Sequence, residues 1–183
     1  MQEPKRSRIK SFRFDVGTIE KLDRAAKRAR VTENAFLNDL LTRRLMFDPL
    51  VPAFQEVTLS QGTFQSILGV TSVEALEEAA SQAAQKNVPL VYELYESNGK
   101  TLSFQEFVTD ILGKHGGWFE LEGNVNLTHG WVTLRHGYGL KWSRFLRACL
   151  LSAHETFSND VLNVKVSDQF VRISFKAKPG EDR

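Results

Sequence analysis

One short amphipathic strand, followed by two short helices and no second strand to pair with, constrains this chain more than any other feature. Ser11-Phe12-Arg13-Phe14-Asp15-Val16 alternates polar and apolar residues, the pattern of a half-buried strand. Phe12 and Phe14 point one way, Ser11 and Arg13 the other. Gly17-Thr18 breaks the strand and opens a helix. Ile19, Leu22, Ala25, Ala26 and Ala29 recur there at helical spacing, while Lys21, Arg24, Lys27 and Arg28 mostly face outward. This helix ends near Arg30-Val31, and Thr32 suits the N-cap of a second one. Phe36, Leu37, Leu40, Leu41 and Leu45 form the second helix's apolar side, and it ends before Pro49. A segment this small buries its apolar faces poorly, and a lone strand leaves both edges unpaired. Pairing with the same strand of a second chain solves both problems. It gives a two-stranded antiparallel ribbon on a four-helix core, a shape that fits the major groove of DNA.

Charge follows the same division. Residues 1–47 carry twelve Lys and Arg against six Asp and Glu, and the rest twelve against sixteen, so +6 and −4 make up the +2 of the whole chain. A basic head on a mildly acidic body points to a polyanion-binding module joined to something else. Lys5, Arg6, Arg8 and Lys10 precede the strand and read as a flexible arm that adds phosphate contacts; a solubilising tail is the alternative.

On these residues, Lys10 to Leu45 resembles the ribbon-helix-helix superfamily of bacterial, archaeal and phage repressors. The resemblance lies in the order and length of strand, turn, helix, capped turn and helix, not in a strict residue motif, and covers about a quarter of the 183 residues. It implies that outward strand residues read bases. By position these are Ser11 and Arg13, with Ile9 third, although Ile9 departs from the polar residue usual there. Arg13 can grip guanine O6 and N7 with two hydrogen bonds. It further implies a phosphate anchored at Thr32, Glu33 and Asn34, where a helix N-terminus offers free N–H groups. Glu33 is a misfit beside a phosphate, though it suits the helix dipole. The dimer core implied is Phe12, Phe14, Ile19, Leu22, Phe36, Leu37, Leu40 and Leu41.

Residues 48–56, DPLVPAFQE, hold two prolines and read as a linker. Beyond it the patterns predict a brief strand at Val57–Leu59, a short helix from Gly62 to Leu68 and a clear helix from Ser72 to Lys86. The last has Val73, Leu76, Ala80 and Ala83 on one side. Leu90 to Tyr95 reads as a strand or extended segment. A helix from Ser103 to about Lys114 turns Phe104, Phe107, Val108, Ile111 and Leu112 inward, and Gly116-Gly117 stops it. Strands near 118–125 and 131–136, a helix from Leu140 to Phe157, and strands near 161–167 and 169–175 complete the domain. The whole reads as α+β: a dimeric ribbon-helix-helix, then an αββαββ-like domain with a mainly antiparallel four-stranded sheet and helices on one face. The divisions are a basic arm (1–8), the ribbon-helix-helix domain (9–47), the linker, an α+β oligomerisation or effector domain (57–176) and a tail (177–183). His136 to Leu146 also resembles a segment of uncharacterised archaeal proteins, with Lys-Trp-Ser entering a helix between two strand pairs; that likeness implies no function.

Other chemistries are weak. His115, His129, His136, His154 and Cys149 lack metal-ligand spacing, and Cys149 falls on the apolar stripe of its helix. Gly137 and Gly139 precede a helix carrying Lys141 and Arg144, a candidate anion site; a tight turn needing glycine is the favoured alternative. Trp118 and Trp131 are candidates for an exposed ligand or protein surface, with core packing the favoured alternative. No nucleophile elbow, phosphate loop, dinucleotide fingerprint or metalloprotease helix occurs, so no enzyme and no cofactor are expected. One cysteine and no apolar run of membrane-spanning length fit a reducing cytoplasm and no membrane partner. The expectation is a cytoplasmic, nucleoid-associated DNA-binding regulator, a repressor by preference. Its partners would be double-stranded DNA and a second copy, with dimers side by side or a tetramer on DNA, and a small-molecule effector is open. An architectural DNA-binding protein and an antitoxin-like interaction module are the alternatives.

Overall fold

The computed structural model describes residues 8–46, 59–97, 99–123 and 131–175. The chain divides into two compact units, Met1–Met46 and Phe47–Arg183. The expected strand at Val57–Leu59 falls largely outside the described residues, and Leu59 itself is not in a strand.

In the first unit, α1 (Val16–Ala29) and α2 (Glu33–Met46) are joined by a tight turn. α1 starts earlier than expected, because Asp15 and not Gly17 ends the preceding segment. The Asp15 carboxylate accepts the Thr18 N–H at 2.9 Å and the Thr18 hydroxyl at 2.6 Å, satisfying one of the orphan donors of the first turn. α1 stops at Arg30, whose φ of 57° is left-handed. The Arg30 N–H bonds to Lys27 O at 3.1 Å, and the Val31 N–H to Ala26 O at 3.1 Å, the pairing of a Schellman C-cap. Val16, expected to end the strand, opens α1 instead, and in the single chain residues 8–15 form neither helix nor strand. The reason is physical: a strand's N–H and C=O groups need a ladder partner, and the single chain supplies none.

The second unit opens with α3 (Gln61–Val70), capped by Ser60, and α4 (Val73–Ser97). Ser72 caps α4 by accepting the Ala75 N–H at 3.2 Å. Here the extended segment expected at Leu90–Tyr95 is corrected: the helix runs straight through Pro89. A proline inside a helix costs about 3 kcal/mol. Leu76, Ala80, Ala84, Val88 and Val91 keep helical spacing across it, and all five are buried. Burying Val88 and Val91 alone contributes about 1.5 to 3 kcal/mol each, enough to offset the break. Ala84, not Ala83, takes the buried position.

After α4 comes α5 (Phe104–Glu106), with Ser103 and Glu106 forming a capping box. From Phe107 to His115 the chain continues as a π-helix, within the helix expected from Ser103 to about Lys114. Phe107, Val108, Thr109, Ile111, Leu112 and Gly113 are all buried. A wider turn brings more of the circumference inside than one α-helical face would. Gly113 leaves room for a ring here: a Cβ on it would sit 3.1 Å from Phe119 Cε2.

The sheet is β1 (Glu120–Gly123), β2 (Trp131–Arg135), β3 (Leu162–Val166) and β4 (Phe170–Phe175), ordered β1-β2-β4-β3 and antiparallel throughout. Register places Leu134 opposite Val171 and Val132 opposite Ile173, and these four fully buried side chains make the inner face. α6 (Gly139–Phe157) packs along α4 and against β3 and β4. It is the central helix, burying Trp142, Leu146, Cys149, Leu150 and Ala153. No helix among the described residues is long and apolar enough to cross a membrane.

Candidate nucleic-acid interface

The first unit has almost no interior of its own. Among residues 8–45 only Ala26 is buried. Leu22, Phe36 and Leu37 are half-buried, while Phe12, Phe14, Ile19, Leu40 and Leu41 are exposed. Phe14, Ile19, Leu22, Phe36, Leu37 and Leu40 line one continuous apolar trough of about 280 Å³. Six of the eight residues expected in a dimer core thus meet in one place; Phe12 and Leu41 lie outside the trough's lining. Phe12 and Phe14 are neighbours, with ring centroids 6.3 Å apart, as residues two apart on one side of an extended segment are.

Beside these rings stand the cations. Ser11, Arg13 and Ile9 are exposed, Ile9 by 99%. Arg8, Lys10 and Arg13 form no ion pair among the described residues; Lys5 and Arg6 lie outside those residues. On α1, two of the outward cations are engaged. Lys27 donates to Asp23 at 2.7 Å, which holds its ammonium pKa above the usual value, and Arg24 lies 3.8 Å from Glu20. Lys21, Arg28 and Arg30 form no such pair among the described residues. Spacing of i to i+4 makes the first two pairs readable in the sequence. Thr18's bonds hold the Asp15 carboxyl below its usual pKa, so that cap stays ionised at neutral pH.

At the head of α2, Thr32 Oγ1 accepts the Ala35 N–H at 3.2 Å and Thr32 O accepts the Phe36 N–H at 2.9 Å. The N–H groups of Glu33 and Asn34 then stand at the open end of the helix, where an anion is favoured.

The other candidates resolve differently. Lys141 Nζ donates to three carbonyls at the end of α3: Leu68 at 2.9 Å, Gly69 at 2.8 Å and Thr71 at 2.7 Å. Arg144 lies 3.5 Å from Glu77. Of the two candidates for an anion site, Lys141 caps a helix and Arg144 pairs with Glu77, which agrees with the favoured reading of Gly137 and Gly139 as a tight turn. The Lys141 cap escaped the sequence because Leu68 is 73 residues from Lys141. Trp118 packs against Trp142 and Phe145, so the exposed-surface reading fails for it. Trp131 is exposed on the open side of the sheet with the Arg172 guanidinium 4.4 Å from its ring centre.

Cys149 is buried, and burial pushes its thiol up to about 12. Among the described residues no three His, Cys, Asp or Glu side chains converge on a metal position; His129 lies outside them. Sequence reasoning missed one polar cluster. His136 Nε2 lies 2.8 Å from Ser143 Oγ, whose proton goes to the Ser167 carbonyl.

Comparison of the chain with family models, with curated proteins and with solved structures finds no match.

Proposed function

We propose that this chain is a sequence-specific DNA-binding regulator of transcription that acts as a dimer. The observation that carries this reading is the first unit's missing interior. Its apolar trough, and the adjacent Phe12 and Phe14, need a cover that a second copy of the same segment supplies. Two copies of residues 9–14, paired antiparallel, would satisfy the backbone groups that one chain leaves open. Such a ribbon would carry Ser11 and Arg13 on the face opposite the phenylalanines, with Arg8, Lys10 and the α2 N-terminus toward the phosphates. The second unit then adds contacts between dimers or reads an effector, and repression follows if the occupied site overlaps a promoter.

The test is fluorescence anisotropy on a duplex selected by the intact protein from a random library, with random duplex as competitor. Wild type should prefer the selected site. Arg13→Ala should lose about 1 to 3 kcal/mol of that preference while sedimenting as the same dimer. A protein that is monomeric at micromolar concentration sinks the ribbon. Equal affinity for selected and random duplex, in wild type and variant alike, would make the protein an architectural binder instead.

A further inference from the structure

The second unit contains a cavity of about 180 Å³ between α4, the π-helix and α6. Val88, Val91, Phe107, Ile111, Leu112 and Cys149 form its floor, and all are buried. Asn87 and Trp118, half-buried, and Gly116, exposed, stand at its rim, so the floor is reached from solvent. No Asp, Glu, Lys, Arg or His lines it, and the thiol at its floor stays neutral at physiological pH. The Asn87 amide forms no hydrogen bond among the described residues.

Two independent features make this more than a packing defect. A concave site with a mostly apolar lining and one or two polar groups at its mouth is the usual form of a small-molecule site. A dry apolar cavity of about 150 Å³ is large enough for benzene. Its second feature is the wall itself. Phe107, Ile111 and Leu112 belong to the π-helix, a geometry rarely kept over more than one turn and frequent at functional sites.

We propose that this cavity binds a small neutral aromatic molecule, between benzene and indole in size. Its ring lies on Val88, Val91 and Ile111, and a single polar edge meets the Asn87 amide. A charged ligand is excluded, because nothing on the floor would replace its hydration. The site belongs to the second unit alone and stands whether or not the first unit binds DNA.

The test is a titration of the full chain with indole, followed by methyl carbon–proton NMR. Saturable shifts are expected at Val88, Val91 and Ile111, with Val164 and Val166 unmoved. Benzoate, with the same ring but a charge, should give no saturable shift. Ala84→Leu adds volume to the cavity lining and should weaken indole by at least about tenfold, with the methyl spectrum of the sheet unchanged. Absence of saturable shifts at the lining methyls with both indole and benzene overturns the site. Benzoate binding as tightly as indole overturns the ligand class. Should Ala84→Leu fail to fold, contacts from indole protons to the Ile111 and Val91 methyls in the wild type decide the matter: their presence supports the site, and their absence overturns it.

Discussion

The His136 imidazole and the Ser143 hydroxyl are bonded to each other at 2.8 Å inside the second unit, with the proton running the opposite way from a nucleophile and its base. Ser143 has one hydroxyl proton, and Ser167 O accepts it. His136 Nε2 must therefore be the donor to Ser143. Nδ1, left without a proton, accepts the Tyr138 N–H at 3.3 Å. Both ring nitrogens are committed, and the ring is neutral. Together they tie the end of β2 to the start of α6 and to the β3–β4 turn. Burial holds the His136 pKa below its usual value, against a smaller pull upward from Asp168. His154 is lowered too, again by burial first. The unfolded chain takes up these protons near pH 6.5, where the folded chain still refuses them. Stability is thus fully present above about pH 6.5 and falls as pH drops toward the lowered native values. Denaturant midpoints at pH 8 and pH 5 should show this loss. His136→Gln should remove part of the difference and leave the share of His154; an unchanged pH response would contradict the assignment.

Ser143→Ala tests the same pair from the other side. It leaves a buried imidazole N–H without an acceptor and should cost about 1 to 3 kcal/mol at pH 8. Urea unfolding at that pH is the measurement, and an effect below about half a kcal/mol would mean that water takes the place of the hydroxyl.

Lys141 behaves as a three-toothed cap. Its three ammonium protons meet the Leu68, Gly69 and Thr71 carbonyls, which the end of α3 leaves open. Lys141→Met keeps the stem and removes the bonds, so a loss of about 2 to 3 kcal/mol is expected. Lys141→Arg should not restore it, because a planar fork does not match three converging acceptors. Equilibrium unfolding checks the size, and protease cutting between Ser60 and Thr71 checks the place. Had the residue served an anion instead, the Met variant would keep its stability and lose phosphate binding.

These contacts mark what the sequence could and could not disclose. Period-2 and helical patterns located β1 to β4 and α6 to within a few residues; β3 and α6 bury a repeating face, while β2 buries three residues in a row and β1 none. The Thr32 cap was legible because a capping oxygen lies three residues from the N–H it binds. Pro89 misled, since a local breaker was read without the stripe that continues on both sides of it. Lys141 left no local trace, because its partners lie some seventy residues away, whereas His136 and Ser143 are only seven apart and carry no residue pattern that marks the bond. In the first unit, composition showed apolar faces lacking an interior, and the folded single chain still lacks one.

Two adjacent glycines after the π-helix separate two physical effects. Gly116 has an ordinary φ of −72°, but a Cβ on it would sit 2.9 Å from both Ile111 O and Leu112 O. Those are backbone atoms and cannot swing aside. Gly117 has a φ of +65° and open space where a Cβ would go. Gly116→Ala should therefore displace the π-helix and cost about 1 to 3 kcal/mol. Gly117→Ala should cost about 1 to 2 kcal/mol through backbone strain alone. Thermal unfolding gives the two costs. Methyl shifts at Ile111 and Leu112 distinguish them, moving for the first variant and holding for the second.

Arg30 shows where stability and the proposed function pull apart. It occupies the left-handed position that closes α1, a place glycine takes without steric cost. An arginine there gives up about 1 kcal/mol relative to glycine, yet its side chain forms no ion pair among the described residues. If its charge serves the DNA backbone, Arg30→Gly should raise the unfolding midpoint and lower DNA affinity together. The affinity loss should be the same for selected and random duplex, and the slope of log affinity against log salt should shrink by about 1. A variant that is more stable and binds both duplexes as wild type does would remove Arg30 from the interface while leaving Arg13 to carry the base reading.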